Sequence, residues 1–249
     1  DEYTSMGATI CPSPKSDKDY HELFTHKDII VRAKRPNKSR ERQEAKAYMP
    51  GTILIGALDP HDPHSNHIEE YKAAGIRSYS IDQMKLPTDN PMNVLAQMSR
   101  IAGQLALDDA LEKLDSVPKK IVIIGFGTAG KSAFHHAINL GYTPHVIVNQ
   151  QQKSIEVKRG GGVPIVIEKN TQLEQQQAVI QTHLYNADIV ITTARSSGKK
   201  SPLLIPMSTL NKMQPGSVVI DMAIAEGGNV ENSEHDKTLI LGNNVIVSN

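Results

Sequence analysis

A glycine-rich stretch carries the clearest chemistry in this chain. Residues 125–132 read GFGTAGKS and directly follow the apolar run KIVII. Read as G-x-G-x-x-G, the stretch is a dinucleotide-binding fingerprint. Read as G-x-x-x-x-G-K-[ST], it is a triphosphate loop in which Lys131 and Ser132 would serve the phosphates and Mg²⁺. The pattern therefore predicts a nucleotide phosphate site and leaves the kind of nucleotide to its surroundings.

The surroundings of this stretch favour a dinucleotide. The predicted strand enters Gly125 without a longer loop, Gly127 would admit a pyrophosphate, and Gly130 would let the next helix pack on the strand. Asn149 follows Gly130 by about 20 residues, where an acidic residue that binds the ribose is expected. The predicted cofactor contacts in this region are Gly125, Gly127, Thr128, Ala129, Gly130 and Asn149.

Two alternatives to the dinucleotide remain open at this point. Asp221 ends the later apolar run SVVID and could hold a metal ion for a triphosphate, although we interpret it as a structural residue that accepts local hydrogen bonds. The glycines could also form a fortuitous tight turn, because an isolated G-x-G-x-x-G pattern is weak.

Composition excludes several functional classes. The 249 residues carry 27 basic and 27 acidic side chains, a net charge of zero that argues against binding nucleic acid through bulk charge. The single cysteine, Cys11, predicts a reducing compartment. Because no apolar run approaches the length of a membrane span, we expect a cytoplasmic protein. The His-rich turn DPHDPHSNH at 59–67 is interpreted as a turn and not as a metal site.

The order of apolar segments predicts an α/β fold with parallel sheets. Strands are predicted at 28–34, 52–58 and 76–82, and a helix at 67–75. Apolar residues at helical spacing predict a long connecting helix over 91–114. A second series of strands is predicted at 120–124, 144–150, 187–194 and 216–223.

The segment 191–231 resembles the alanine dehydrogenase and nicotinamide nucleotide transhydrogenase family. It reads ITTARSSGKKSPLLIPMSTLNKMQPGSVVIDMAIAEGGNVE and is most similar to the transhydrogenase alpha subunits, the NAD(H)-binding components. PGTILIGAL and MSRIAGQLAL resemble the family's first-domain strand and interdomain helix.

The resemblance implies two doubly wound, Rossmann-like domains joined by a long helix. The first would comprise 1–104 plus 231–249, and the second, which binds the dinucleotide, 105–230. It also implies a homodimer, a membrane-embedded partner subunit and NAD(H) as cofactor, and the zero net charge excludes a nucleic acid partner. The position of Asn149 leaves NADP(H) open as well.

Carried over residue by residue, the resemblance implies further site residues and some departures. Lys34 matches the lysine that holds a substrate carboxylate, and Asn90 and Asn93 stand where transhydrogenases have a catalytic glutamine and aspartate. The catalytic histidine and aspartate of alanine dehydrogenases are replaced by Asp59 and Ala225. The small residues expected to let the nicotinamide ribose approach are Thr193, Ala194 and Ala223.

Three functions are compatible with this pattern. The first is the NAD(H)-binding component of a proton-translocating NAD(P) transhydrogenase, whose hydride transfer between cofactors needs no general base. The second is a divergent amino-acid dehydrogenase, favoured by Lys34 and opposed by the missing proton acceptors. The third is a non-catalytic dinucleotide-binding module of the same fold.

Overall fold

The computed structural model describes residues 2–33, 35–62, 65–195 and 200–249. They form two compact units, Asp1–Leu95 and Ala96–Asn249, and the chain passes from one to the other within a long helix. This division differs from the predicted one, which placed 231–249 with the first domain and the boundary after residue 104.

The first unit is a three-stranded parallel sheet with helices. Its strands lie in the order β1-β2-β3 and span Ile29–Arg32, Ile53–Gly56 and Arg77–Ser80. Its helices are α1 (Glu2–Ser5), α2 (Asp17–Phe24), α3 (Lys38–Ala47) and α4 (His67–Ala73), and a short 3-10 helix spans Ile81–Gln83. The core packs Ile30 and Leu54 against Tyr48 and Tyr71. The opposite side chains of β1 and β3 are exposed, as Val31 is 74% and Tyr79 55% accessible.

Buried ion pairs fasten α3 to the end of β1. The Arg35 Nε donates to both oxygens of Glu41, at 3.0 and 2.9 Å, and its Nη1 donates to Asp62 at 2.9 Å. The Arg32 Nη2 pairs with one carboxylate oxygen of Glu44. Because Glu41 and Glu44 are buried, each needs a paired cation, which Arg35 and Arg32 supply.

The second unit is built on a seven-stranded sheet in the order β6-β5-β4-β7-β8-β10-β9. The strands β4–β10 span Ile121–Ile124, His145–Val148, Val163–Val166, Ile189–Thr192, Val218–Asp221, Leu239–Ile240 and Ile246–Ser248. All neighbours are parallel except β9, which runs antiparallel to β10. From β6 to β10 this is the strand order of a dinucleotide-binding domain, with the switch between halves at β4 and β7.

Helices cover both faces of this sheet. They are α5 (Val94–Glu112), α6 (Thr128–Asn139), α7 (Gln151–Arg159), α8 (Leu173–Leu184) and α9 (Met207–Leu210), with a 3-10 helix at Ile224–Glu226. Alternate residues of β4 point to opposite cores: Ile121 and Ile123 pack with Phe134, and Val122 and Ile124 pack with Leu184. The α/β fold with parallel sheets is thus confirmed, and this unit is doubly wound.

The C-terminal strands explain the difference in the domain division. Val247 of β10 pairs with Val219 of β8, and Val245 and Val247 are buried in the core on one face of the large sheet. The last residues therefore complete the second unit, as its sixth parallel strand, and do not return to the first sheet. Among the described residues, no helix combines the length and the apolar content that a membrane crossing requires.

Two histidines at the start of β5 and in α8 predict a pH dependence of stability. Partial burial, and then the positive charge of Lys120, lower the pKa of His145 and of His183 below the ordinary imidazole value. Since both are neutral in the fold and protonate more readily when unfolded, their contribution is complete above about pH 6.5 and is lost as the pH falls below it. We expect His183→Gln to make the decline in unfolding free energy between pH 7.5 and 5.5 shallower. Urea denaturation at both pH values checks this, and an unchanged slope would contradict it.

Candidate dinucleotide site

The glycine turn joins β4 to α6 at the carboxyl edge of the large sheet. Gly125 has φ of +99°, a conformation that side chains rarely adopt, and its N–H donates to the Ile147 carbonyl at 3.0 Å. Gly127 is the N-cap of α6, and the helix begins at Thr128 with no acidic residue in its first turn. The N–H groups at this helix start therefore face the edge where dinucleotides bind.

The space available for a side chain differs among the three glycines. A Cβ on Gly130 would lie 2.2 Å from the Gly125 carbonyl oxygen, and one on Gly125 would lie 2.7 Å from Thr193 Oγ1. A Cβ on Gly127 would meet no atom within 4 Å. The protein itself thus requires glycine at 125 and 130, whereas at 127 the space around the backbone is open.

Lys131 and Ser132 are engaged with the protein and not with the open space. The Lys131 Nζ pairs with both carboxylate oxygens of Glu156 on α7, at 2.6 and 2.8 Å, and lies 5.3 Å from the Phe126 ring centroid. The Ser132 hydroxyl donates to the Arg100 carbonyl of α5 at 2.7 Å and is 9% exposed. Both side chains thus bond to the protein, as first-turn helix residues of a dinucleotide site are expected to do.

Replacement of Lys131 tests whether the glycine turn binds a dinucleotide or a triphosphate. We expect Lys131→Met to change the Kd for NADH by less than about threefold, since a partly exposed ion pair contributes little. Mg²⁺–ATP should give no thermal stabilisation of either protein. Ser132→Ala serves as the companion variant. It should lower the free energy of unfolding by about 1 kcal/mol and leave the Kd for NADH unchanged. Tight Mg²⁺–ATP binding that Lys131→Met abolishes would restore the triphosphate interpretation.

The carboxyl end of β7 lies beside the glycine turn. The Thr193 N–H donates to the Ile124 carbonyl at 2.8 Å, which sets its side chain over Gly125 and Gly130. Asn229 holds both backbone polar groups of Ala194. Its Oδ1 accepts from the Ala194 N–H at 3.1 Å, and its Nδ2 donates to the Ala194 carbonyl at 2.9 Å.

Asp221 organises the loop that follows β8. Its fully buried carboxylate accepts hydrogen bonds from the N–H groups of Ala223, Asn229 and Val230 and from the Thr192 hydroxyl. The structure therefore gives Asp221 the structural role predicted for it. Ala223, a predicted cofactor contact, is fully buried in the turn that this carboxylate holds.

Asn229 is the residue of this region that sequence reasoning missed. It lies in the stretch GGNVE of the segment that carries the family resemblance. Nothing in its type or spacing indicates that it would hydrogen-bond to Ala194, 35 positions away. Asn149, in contrast, lies where predicted, exposed directly after β5 and before α7.

The predicted residues of the first unit are placed as follows. Lys34, like His64 of the His-rich turn, lies outside the described residues. The Asn90 side chain accepts from the Met92 N–H at 2.8 Å, and Asn93 donates to the Leu86 and Pro87 carbonyls at 2.9 and 3.3 Å. Both asparagines thus stabilise the turn before α5.

A cavity of about 420 Å³ opens at the carboxyl edge of the first sheet. Charged residues of both signs line it: Asp59, Asp62 and Asp82, and the basic Arg35 and Lys38. Burial acts to raise the pKa of Asp82, but hydrogen bonds from Ser80 and from the Leu58 N–H outweigh it and hold that pKa below its ordinary value. Nearby, His67 is buried and bonds to Ser65 and to the Leu58 carbonyl. Among the described residues, no three His, Cys, Asp or Glu side chains are grouped to hold a metal ion.

Comparisons with known proteins agree with this architecture. Residues 110–248 match the family model described as alanine dehydrogenase/PNT, C-terminal domain, and residues 1–102 match its N-terminal counterpart. An NAD(P) transhydrogenase subunit alpha of Rickettsia prowazekii is 26% identical over 95% of this chain and 67% of its own length. An alanine dehydrogenase of Methanococcus maripaludis is also 26% identical, over 93% of this chain and 61% of its own.

Among solved structures, the transhydrogenase from Sinorhizobium meliloti superposes with a TM-score of 0.75 at 29% identity, over 89% of this chain and 66% of that one. The chain thus spans about two thirds of the length of these relatives. With both domain models matched across nearly all of its length, the chain belongs to the alanine dehydrogenase/PNT family.

Proposed function

We propose that this chain is the NAD(H)-binding component of an NAD(P) transhydrogenase. The glycine turn carries the proposal, because it is closed to side chains at Gly125 and Gly130 and open for a pyrophosphate at Gly127. Relatives named as transhydrogenase alpha subunits support it. When bound, the nicotinamide ring supplies the hydride donor or acceptor.

Different residues of the chain would bind different parts of the cofactor. The backbone at Gly127, Thr128 and Ala129 binds the pyrophosphate at the start of α6. Thr193 and Ala194 border the nicotinamide ribose at the end of β7, and Asn149 hydrogen-bonds the adenosine ribose. Asn90 and Asn93 orient the nicotinamide, and Lys34 binds an anionic group.

Two substitutions favour transhydrogenation over amino-acid oxidation. Oxidation of an amino acid needs a residue that accepts the amine proton. Here Asp59 stands in place of the histidine implied by the family resemblance, and Ala225 stands in place of the aspartate. Direct hydride passage between two cofactors needs neither group.

The proposed partners follow from the same function. The transhydrogenase relatives are named as alpha subunits, so the enzyme to which such a chain belongs has further subunits. We propose that a membrane-embedded subunit completes it, that NADP(H) is bound on a partner, and that this chain forms a homodimer.

Reconstitution tests the proposal. This chain, mixed with the remaining transhydrogenase subunits from the same source, should reduce a spectrally distinct NADP⁺ analogue with NADH, and omission of either component should abolish the reaction. Oxidation of NADH by a 2-oxo acid with ammonia, without those subunits, would instead identify an amino-acid dehydrogenase.

A non-catalytic dinucleotide-binding module is the second candidate. It is favoured by Asn90 and Asn93, whose amides stabilise their own turn in the loop where transhydrogenases have a glutamine and an aspartate. NADH binding that persists without hydride transfer, in every subunit combination and with every oxo acid, would select this candidate.

A further inference from the structure

We propose that Asn229 positions the nicotinamide end of the bound cofactor. It does so by fixing the backbone at the carboxyl end of β7, without touching the cofactor itself. The inference rests on the proposed dinucleotide function and adds a positioning residue to it. Asn229 lies in the loop after β8, eight residues beyond Asp221, and is fully buried.

Every polar group of Asn229 bonds to the protein. Its Oδ1 accepts from the Ala194 N–H at 3.1 Å, and its Nδ2 donates to the carbonyls of Ala194 and Pro202, at 2.9 and 2.8 Å. Its backbone N–H donates to the Asp221 carboxylate at 2.9 Å, and its carbonyl accepts from the Leu204 N–H at 2.9 Å. This one residue therefore ties the backbone that leaves β7 to the loop that leaves β8.

The peptide that Asn229 holds lies against the glycine turn. The Thr193 N–H, one residue earlier, donates to the Ile124 carbonyl at the end of β4, at 2.8 Å. A Cβ on Gly125 would lie 3.2 Å from the Ala194 nitrogen, the same atom that donates to Asn229. A displacement of this peptide would therefore change the surface beside the glycine turn, at the edge of the sheet where dinucleotides bind.

Burial separates the residue that a ligand can reach from the residue that holds it. Thr193 and Ala194 are partly accessible, whereas Asn229 has no exposed surface. A cofactor at this edge can therefore contact the backbone of Ala194 but not the amide of Asn229. Asn229 acts through Ala194, which makes it a positioning residue and not a contact of the cofactor.

An amide side chain suits both backbone groups of Ala194. Asparagine carries an acceptor and two donors in one plane, so it can accept from an N–H and donate to a carbonyl of the same residue. An ionised aspartate at this place would keep the acceptor and lose both donors, and alanine would lose all three bonds. We therefore expect a graded effect of substitution at Asn229 on the position of Ala194.

Titration of the full chain with NADH and with ADP tests this role, because ADP contains the adenosine and the pyrophosphate but no nicotinamide. Asn229→Ala should raise the Kd for NADH by about tenfold and leave the Kd for ADP within about twofold. Asn229→Asp, which keeps the shape and the acceptor, should show the same pattern with a smaller loss, and it carries the test if Asn229→Ala does not fold. Nicotinamide fluorescence measures NADH binding, calorimetry measures ADP binding, and circular dichroism checks folding.

Asn243→Ala is the matched control. The Asn243 amide also donates to two backbone carbonyls, those of Leu210 and Met213. It lies at the opposite edge of the sheet, because the carbonyl of the next residue, Asn244, accepts from the Gly216 N–H just before β8 begins. Asn243→Ala should lower thermal stability to a similar extent as Asn229→Ala and change neither Kd.

Hydride transfer supplies a measurement that a purely structural role would not change. In the reconstituted enzyme at saturating NADH, Asn229→Ala should lower kcat by about tenfold or more relative to Asn243→Ala, because a small displacement of the nicotinamide misaligns the hydride.

The possible outcomes separate this inference from the proposed function. Equal weakening of NADH and ADP by Asn229→Ala would assign Asn229 a structural role alone and overturn the inference, as would a wild-type Kd for NADH or a wild-type kcat. If the two ligands respond as expected but the reconstituted wild-type enzyme transfers no hydride, the inference stands and the transhydrogenase function is wrong. If the wild-type chain binds no NADH, both are wrong.

Discussion

Gly127→Val should abolish NADH binding in a protein that remains folded. Gly127 has φ of −87° and ψ of −165°, which a valine also adopts, and a Cβ there would meet no protein atom within 4 Å. We expect the unfolding free energy to stay within about 1 kcal/mol of the wild type. The added side chain fills the space for the pyrophosphate, so the Kd for NADH should rise by at least about 100-fold.

Two other glycines are the controls for this variant. Gly242, in the turn before β10, has the same open surroundings, and Gly242→Val should change neither stability nor NADH binding. Gly130→Ala should lower the free energy of unfolding, because the added Cβ would lie 2.2 Å from the Gly125 carbonyl oxygen. A folded Gly127→Val protein with wild-type affinity for NADH would refute the location of the pyrophosphate.

Asp221→Ala should lower the unfolding free energy by about 3 kcal/mol or more. The buried carboxylate accepts from three backbone N–H groups and from the Thr192 hydroxyl, and each donor would be left unsatisfied away from water. Asp221→Asn should also destabilise, since its NH₂ group would oppose at least one of these donors. Urea denaturation followed by circular dichroism measures both effects.

The exposed Asp115 is the matched position for this test, and Asp115→Asn should leave stability within about 0.5 kcal/mol. An Asp221→Asn protein with wild-type stability and no hydride transfer would assign Asp221 a chemical role instead of a structural one.

At the glycine turn, the local sequence pattern was sufficient to predict the secondary structure. The spacing of Gly125, Gly127 and Gly130 predicts the strand, turn and helix that the structure contains, because Gly130 lies against the nearby Gly125 carbonyl and Gly125 lies against Thr193 at the adjoining strand. The same letters also satisfied the triphosphate pattern. The surrounding sequence already favoured the dinucleotide, and the contacts of Lys131 with Glu156 and of Ser132 with Arg100, both remote in sequence, agree with that interpretation.

The missed elements were the least regular ones. Helix α7 has no long apolar stripe, and β6 is a four-residue strand at the edge of the sheet that contains Pro164, which an edge position tolerates. The C-terminal segment that contains β10 was assigned to the other unit. Its place beside β8 joins residues that are distant in the chain, so short spacing does not indicate it.

The sequence by itself determined the α/β class, the parallel strands, the glycine turn and the family resemblance, because these depend on residue type and short spacing. The tertiary structure decided which unit the C-terminus completes, which carboxylates are buried against Arg32 and Arg35, and that Asn229 holds Ala194. These features join residues that are distant in the chain, and only the folded arrangement brings their hydrogen-bonding groups within about 3 Å of each other.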